Sequence, residues 1–341
     1  MMTLNRRDRL ALTAAALIAA FIVALPQWLD LFTLLSLTVY LVMALLALSL
    51  AFIWGFGGIL CFGQAAFFGL GAYAYAVGAL NVADSTVAVM LAILVPTLFA
   101  AVLGYFMFYG GISDVYVGVI TLAVTLILFN LLNASAGGEY RIGEAALGGF
   151  NGIPAIPTLN VPFMPERVLS PGALFIVSGL CLVAVYVALR LTLGSRFGRT
   201  VIAIRENEQR AALLGYDVRL HKLLVFSLGG GVAGLAGCLY ANWGAFISPE
   251  VFGLAQSAQI IIWVIVGGRT TLLGPILACI ALQWLVNRLG TQSLIDSGLV
   301  LGAILMAVVM LLPKGLLPTL LTLCDRRRGE RDVAPSKESA S

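Results

Sequence analysis

Residues 31–53, 87–108 and 223–243 each run for more than twenty positions without a single Asp, Glu, Lys or Arg. About 20 apolar residues at 1.5 Å rise cover the hydrocarbon core of a bilayer. Inside that core every backbone N–H and C=O must find a partner within the protein, which leaves helices and closed barrels as the only spanning structures. A barrel is written in short alternating segments, whereas these runs are continuous. Only 11% of the 341 residues are charged and 61% are hydrophobic, against about 25% charged in soluble domains. The chain reads as an all-α polytopic membrane protein.

Apolar length and helix breakers place spans near 10–29, 31–53, 64–80, 87–108, 112–133, 171–191, 223–243, 254–268, 271–288 and 294–312. The N-terminal apolar stretch is longer than the h-region of a signal peptide and no A-x-A site follows it, so it reads as an uncleaved first span. A transmembrane domain over 1–324 is expected, with hydrophilic segments at 134–170 and 192–222, followed by a disordered polar tail over 325–341. Charge orients this arrangement. With ten spans and a cytoplasmic N-terminus, seventeen of the twenty basic residues lie inside: Arg6, Arg7, Arg9, seven between Arg190 and Lys222, Arg269, and six after residue 313. Only Arg141, Arg167 and Arg288 lie outside. The positive-inside rule favours this orientation, with both termini cytoplasmic. Eight spans with re-entrant segments would keep the same sidedness. The tail arginines Arg326, Arg327 and Arg328 would sit among anionic lipid headgroups.

Several chemistries have no residues to carry them. The sequence holds no GxxxxGK[ST] phosphate loop, no HExxH and no GxSxG, and its one histidine, His221, lies in a basic stretch. The five cysteines are scattered without CxxC pairing, so neither a disulfide framework nor a zinc site is expected. No cofactor, metal or nucleic-acid partner is called for. Gly229, Gly231 and Gly234 spell GxGxxG, but within an apolar run where Gly230-x-x-x-Gly234 reads as a close helix-packing face.

Two glycine-rich stretches interrupt the apolar pattern. In GFGGILCFGQAAFFGLGAYAYA, residues 55–76, the cluster Gly55, Gly57, Gly58 and Gly63 marks a helix break, since glycine costs about 1 kcal/mol relative to alanine in a helix interior. Broken helices at membrane depth form substrate sites in transporters, because freed backbone groups bind polar solutes. Gln64 beside the break offers a neutral donor and acceptor; tight packing through Gly63, Gly69 and Gly71 is the competing reading. WVIVGGRTTLLGP repeats the theme with Gly267 and Gly268, a Trp again preceding a Gly-Gly pair, as a parallel internal repeat would. Gly57, Gly58, Gly63, Gln64, Gly267 and Gly268 are the candidate substrate-pathway residues.

In the basic segment, Asn207 is placed as an N-cap, Glu208 in the first turn and Gly215 at the C-terminal cap of a short helix carrying Ala211, Ala212, Leu213 and Leu214. It suits either an amphipathic interfacial helix or a coupling helix whose small apolar residues enter a groove on a cytoplasmic partner. The segment 134–170 reads as a solvated connector or as a docking or gating surface.

The stretches GGILCFGQAAFFGLGAY, SRFGRTVIAIRENEQRAALLGYDVRLHKLLVFSLGGGVAGLAG, ISPEVFGLAQSAQIIIWVIVGGRTTLLGP and LLPKGL resemble the LivM-type permease subunits of branched-chain amino acid ABC importers and the related urea-importer permeases. The resemblance covers most of residues 40–318. It implies a partner permease, two cytoplasmic ABC ATPase subunits, a periplasmic or extracellular solute-binding protein and residence in the bacterial inner membrane. It also implies ATPase coupling through Arg205, Glu206, Asn207, Glu208, Ala211, Ala212, Leu213 and Gly215. Two departures stand out. Family members often carry His where this chain has Gln64. The general EAA-x3-G permease signature is degenerate, with Gln209, Arg210 and Ala211 in its first three positions before Gly215. GGRTTL is closer to the urea branch and LGGFNGIPAIP to the amino-acid branch, so the substrate stays open between them. From other classes, a self-sufficient channel or secondary transporter is the alternative, although an ion-coupled carrier usually needs intramembrane carboxylates and these spans hold almost none.

The charge pattern makes a direct forecast. Single cysteines placed in 134–170 of a cysteine-free variant should react with an impermeant thiol reagent on intact cells. Those in 194–222 should react only after permeabilisation, and the opposite result would reverse the topology.

Overall fold

The computed structural model describes residues 6–290, apart from 83, 162 and 163, together with 302, 303, 306 and 319. Helix α1 (Arg6–Ala24) is followed by α2 (Leu31–Leu50), α3 (Gln64–Asn81), α4 (Ser85–Tyr109), α5 (Asp114–Ala134) and α6 (Pro171–Gly194). Two short helices, α7 (Arg196–Glu206) and α8 (Glu208–Leu213), precede α9 (Val218–Gly244), α10 (Leu254–Gly267) and α11 (Leu273–Gly290). The starts of the helices follow local chemistry. Asp30, Asp84, Ser170 and Asp217 each accept the backbone N–H two or three residues ahead, at the head of α2, α4, α6 and α9. Such caps satisfy donors that a helix N-terminus leaves free.

Five of these helices are long and apolar enough to cross a membrane: α2 with its continuation to Phe56, α4, α5, α6 and α9. The apolar parts of α1, α10 and α11 are shorter, and α3 is diluted by glycine and tyrosine. Five of the ten expected spans thus meet this measure of length and composition among the described residues. The tenth expected span, 294–312, and the tail at 325–341 lie outside the described residues.

The interior belongs to α2, α3 and α9. Of the most apolar window, 56% is buried in α2 and 67% in α9, against 28%, 22% and 33% in α4, α5 and α6. Outward residues of the latter, such as Leu98, Phe106 and Ile127, are apolar and exposed, as a lipid-facing surface requires. The centre is built on small residues. A Cβ at Gly71 of α3 would lie 2.3 Å from the Gly234 carbonyl oxygen of α9, and one at Gly237 would lie 2.0 Å from the Phe68 carbonyl oxygen. On the far side of α9, Gly234 abuts Pro96 and the Ala92 carbonyl of α4. The GxGxxG stretch is therefore a packing face, as its position in an apolar run suggested.

Connections alternate between two ends of the bundle. One end gathers Gly55, Arg269 and Arg205, and also Asp114, Glu208 and Lys222. The opposite end holds the 134–170 segment, which is a folded cap with two small antiparallel pairs, β1 (Arg141–Ile142) with β2 (Ala145–Ala146) and β3 (Asn160–Val161) with β4 (Met164–Val168). It is pinned to the helices beneath it. Tyr75 donates to the Pro157 carbonyl at 3.0 Å, Leu159 N–H donates to Asn242 Oδ1 at 2.7 Å, and Asn81 Nδ2 donates to the Ile142 carbonyl at 2.9 Å. Ile153 and Ile247 exchange backbone hydrogen bonds. A freely solvated connector, one of the two readings of this segment, does not describe it.

Gly237→Ala should therefore lower the thermal stability of the detergent-solubilised protein, since overpacking a tight core costs about 1–3 kcal/mol. Gly194→Ala, where a Cβ meets open space, should leave the melting temperature unchanged. Equal behaviour of the two variants would contradict the backbone contact between α3 and α9.

Candidate functional site

The first glycine cluster ends α2 in a widened turn. Ala51–Phe56 winds as a π-helix, and the next three N–H groups reach back to Phe52, Trp54 and Ile53 carbonyls at 3.1–3.2 Å. Gly58 then takes φ +72°, a left-handed conformation open to glycine at little cost. The chain continues without helical structure to Gly63, and α3 starts at Gln64. This segment turns back into the bundle, because a Cβ at Gly63 would lie 2.1 Å from the carbonyl of Thr121, two turns into α5. Thr121 Oγ1 accepts the Phe62 N–H at 3.2 Å. Among the described residues, no hydrogen-bond donor meets the carbonyls of Ile59, Leu60, Cys61 and Phe62.

Gln64 is 1% exposed and its amide is committed within the chain. Its Nε2 donates to Ser49 Oγ at 2.7 Å and to the Gly229 carbonyl at 3.3 Å, and its Oε1 accepts from Cys61 Sγ at 3.6 Å. One side chain thereby ties the break to α2 and α9. The sequence suggested a side chain offered to a passing solute; here the unpartnered polar groups are the backbone carbonyls just before it.

The second glycine pair ends α10. Gly268 has φ +97°, and Gly267 lies so close to Gly274 at the head of α11 that a Cβ would sit 2.3 Å from its carbonyl carbon. The two breaks adjoin: a Cβ at Gly55 would lie 1.9 Å from the Arg269 carbonyl oxygen, and the Arg269 guanidinium carbon is 5.9 Å from the centre of the Trp54 ring. Arg205, from the last turn of α7, donates to the Gly55 carbonyl at 2.5 Å and lies against Gly58. Gly57, Gly58, Gly267 and Gly268 are thus brought to one end of the bundle with Arg205, while Gly63 and Gln64 lie deeper.

Helix α8 forms where the sequence placed it. Asn207 Oδ1 accepts the Arg210 N–H at 2.8 Å, and Gly215 closes the helix at φ +85° with its N–H on the Ala212 carbonyl. Arg205 and Glu206 form an ion pair just before the cap. Of the three residues singled out for contact, Ala211 is turned inward at 3% exposure, whereas Ala212 and Leu213 face out. Leu213 and its neighbour Leu214 are 87% and 77% exposed, and Tyr216 adds a further exposed ring. Sequence reasoning placed Leu214 on this helix without singling it out for contact, and missed Tyr216, which follows directly in the motif. It also missed Lys222, whose charge in the first turns of an apolar helix was the available signal.

Gln64→Leu removes the donor shared by Ser49 and Gly229. A net hydrogen bond is worth about 1 kcal/mol, so the purified variant should melt a few degrees lower than the parent. An unchanged melting temperature would show that the amide does not hold α2, α3 and α9 together.

Residues 32–312 match the family described as the branched-chain amino acid transport system permease component. The chain is 28% identical over 307 residues to the high-affinity branched-chain amino acid transport system permease protein LivM of Escherichia coli K12, covering 82% of this chain and 69% of that protein. It is 33% identical over 146 residues to LivM of Salmonella typhimurium LT2, covering 42% of this chain and 34% of that one. No solved structure matches. The matched region contains both glycine breaks, the Arg205 contact and α8, and the chain belongs to the branched-chain amino acid ABC transporter permease family.

Proposed function

We propose that this chain is the membrane-spanning permease subunit of an ATP-driven importer for branched-chain or other small neutral amino acids. The observation that carries the proposal is the contact of Arg205 with Gly55. It joins the segment leading into the exposed apolar helix α8 to the point where both glycine breaks meet. A partner that seats on Ala212, Leu213 and Leu214 would act on the breaks through α7. That partner is a cytoplasmic ATPase, because the chain has no phosphate loop of its own. Two such ATPase subunits, a second permease and a solute-binding protein on the opposite side complete the assembly, in a bacterial inner membrane with both termini cytoplasmic. The extended stretch Ile59–Gly63 is the proposed pathway element, since its backbone leaves the helix there and the partly exposed Leu60 and Phe62 carry carbonyls that no donor among the described residues meets. The arginine in GGRTTL keeps urea or a short amide as the second candidate substrate.

The test is uptake into proteoliposomes holding the co-expressed permeases and ATPases together with the binding protein. ATP-dependent accumulation of leucine but not urea is expected from the complex, and neither ATP hydrolysis nor uptake from the isolated chain. Ala212→Glu would force a carboxylate into the contact, at a desolvation cost of several kcal/mol. Uptake and co-purification with the ATPases should both fall while membrane insertion persists. Accumulation by the isolated chain, or a silent Ala212→Glu, would overturn the proposal.

A further inference from the structure

Lys222 lies in the second turn of α9, at the end of the bundle that carries α7 and α8. Its side chain is only 10% exposed. The ammonium is 3.1 Å from Asp114 Oδ1 and also in contact with Glu208 Oε1. Asp114 is the first residue of α5 and Glu208 the first residue of α8. A single cation therefore joins the N-termini of two helices to the base of a third. Each acid suits its own helix, because a negative charge in the first turn complements the helix dipole. Without the lysine the two would face each other as like charges.

Helix α8 has little else to hold it to α5. Ala211 is its one buried residue. Between α8 and the α4–α5 turn lies an open cavity of ≈ 490 Å³, lined by Phe108, Ser113, Gln209, Ala212 and Arg219 along with the three linked charges. Close-packed atoms transmit displacement, and a cavity does not. The ionic tie is what spans this gap.

We propose that Lys222 is a positioning residue that transmits movement of α8 to α5 and α9, an inference that rests on reading α8 as the contact for an ATPase. A displacement of α8 carries Glu208 with it. Lys222 follows, since its own side chain is nearly enclosed and it is held between these two half-exposed carboxylates. Asp114 then draws α5. Both helices held by the lysine reach the deep side of the first break: α5 through Thr121, which accepts the Phe62 N–H, and α9 through Gly229, which accepts from Gln64. The route from α8 to the extended stretch is thus continuous in named contacts.

The test uses the full assembly in proteoliposomes, with Leu60→Cys as a reporter in a chain whose native cysteines are replaced. In the parent, reactivity of Leu60→Cys should change between ATP-bound and nucleotide-free states. Lys222→Met should abolish that change and lower uptake by about tenfold or more, in the range of ordinary coupling between sites. Co-purification with the ATPases and ATP hydrolysis should persist, which a merely structural role would not predict. Asp114→Asn, which keeps the Lys222–Glu208 contact, should uncouple in the same sense. It decides the matter if Lys222→Met fails to assemble. Lys222→Arg, which keeps a cation between the two carboxylates, should retain most of the uptake. Uptake within twofold of the parent in Lys222→Met, or in Asp114→Asn where Lys222→Met fails to assemble, would overturn the inference, as would loss of uptake in Lys222→Arg. A parent complex without ATP-dependent uptake would instead remove the importer reading, so the two failures are distinguishable.

Discussion

The approach of α3 to α9, backbone against backbone, is the contact on which the rest of the bundle is arranged. Lipid tails are as apolar as leucine, so helices in a membrane associate by packing and hydrogen bonding rather than by hiding from solvent. Gly71, Gly234 and Gly237 remove the side chains that would hold these two helices apart. Once α3 and α9 are joined, Phe67 meets Phe226 edge to face at 5.3 Å between ring centres, and α4 closes over Gly234 through Pro96. The helices with broad exposed apolar faces, α4 and α5, fall at the outside.

That compact centre is what makes an interrupted helix tolerable beside it. A backbone that leaves helical geometry at membrane depth must be buried in protein or face a polar cavity. The stretch from Ile59 to Gly63 is enclosed by α2, α5 and α9, with Thr121 serving one of its N–H groups and Gln64 tying its end to Ser49 and Gly229. Arg205 serves a carbonyl at the other end, where the π-helical turn finishes. Each polar partner comes from a different helix. The shape of the break is therefore set by the relative positions of α2, α5, α7 and α9, not by its own sequence alone.

Much of this was legible in the residues because each signal is local. Apolar length gave the helices, glycine clusters gave both breaks within a few positions, and Asn207 with Gly215 bracketed α8. What could not be read was anything decided by distance in space. That Gln64 spends its amide on Ser49 and Gly229, that the two glycine pairs adjoin, and that Ala211 points inward all depend on packing between segments far apart in the chain. The same holds for Lys222: its charge stood out, but its two carboxylates lie 14 and 108 positions away. The folded state of 134–170 was hidden for a further reason. Its glycines and prolines are typical of solvated connectors, and only the side chains beneath it, Tyr75, Asn81 and Asn242, reveal that it is held.

Those pins couple the cap to the helices beneath it. It is fastened to α3 by Tyr75 and Asn81, to α4 through the contact of Ser85 with Asn160, and to the end of α9 by Asn242 and Ile247. Helices 27 and 18 residues long, α9 and α3 are stiff rods, with Gly229 near the middle of the one and Gln64 at the far end of the other from the cap. A small tilt at one end of such a rod becomes a larger sideways travel at the other. The cap is thus a pointer fixed to the same rods that hold the break: its surface changes outline whenever they lean, and anything that prefers one outline favours one lean.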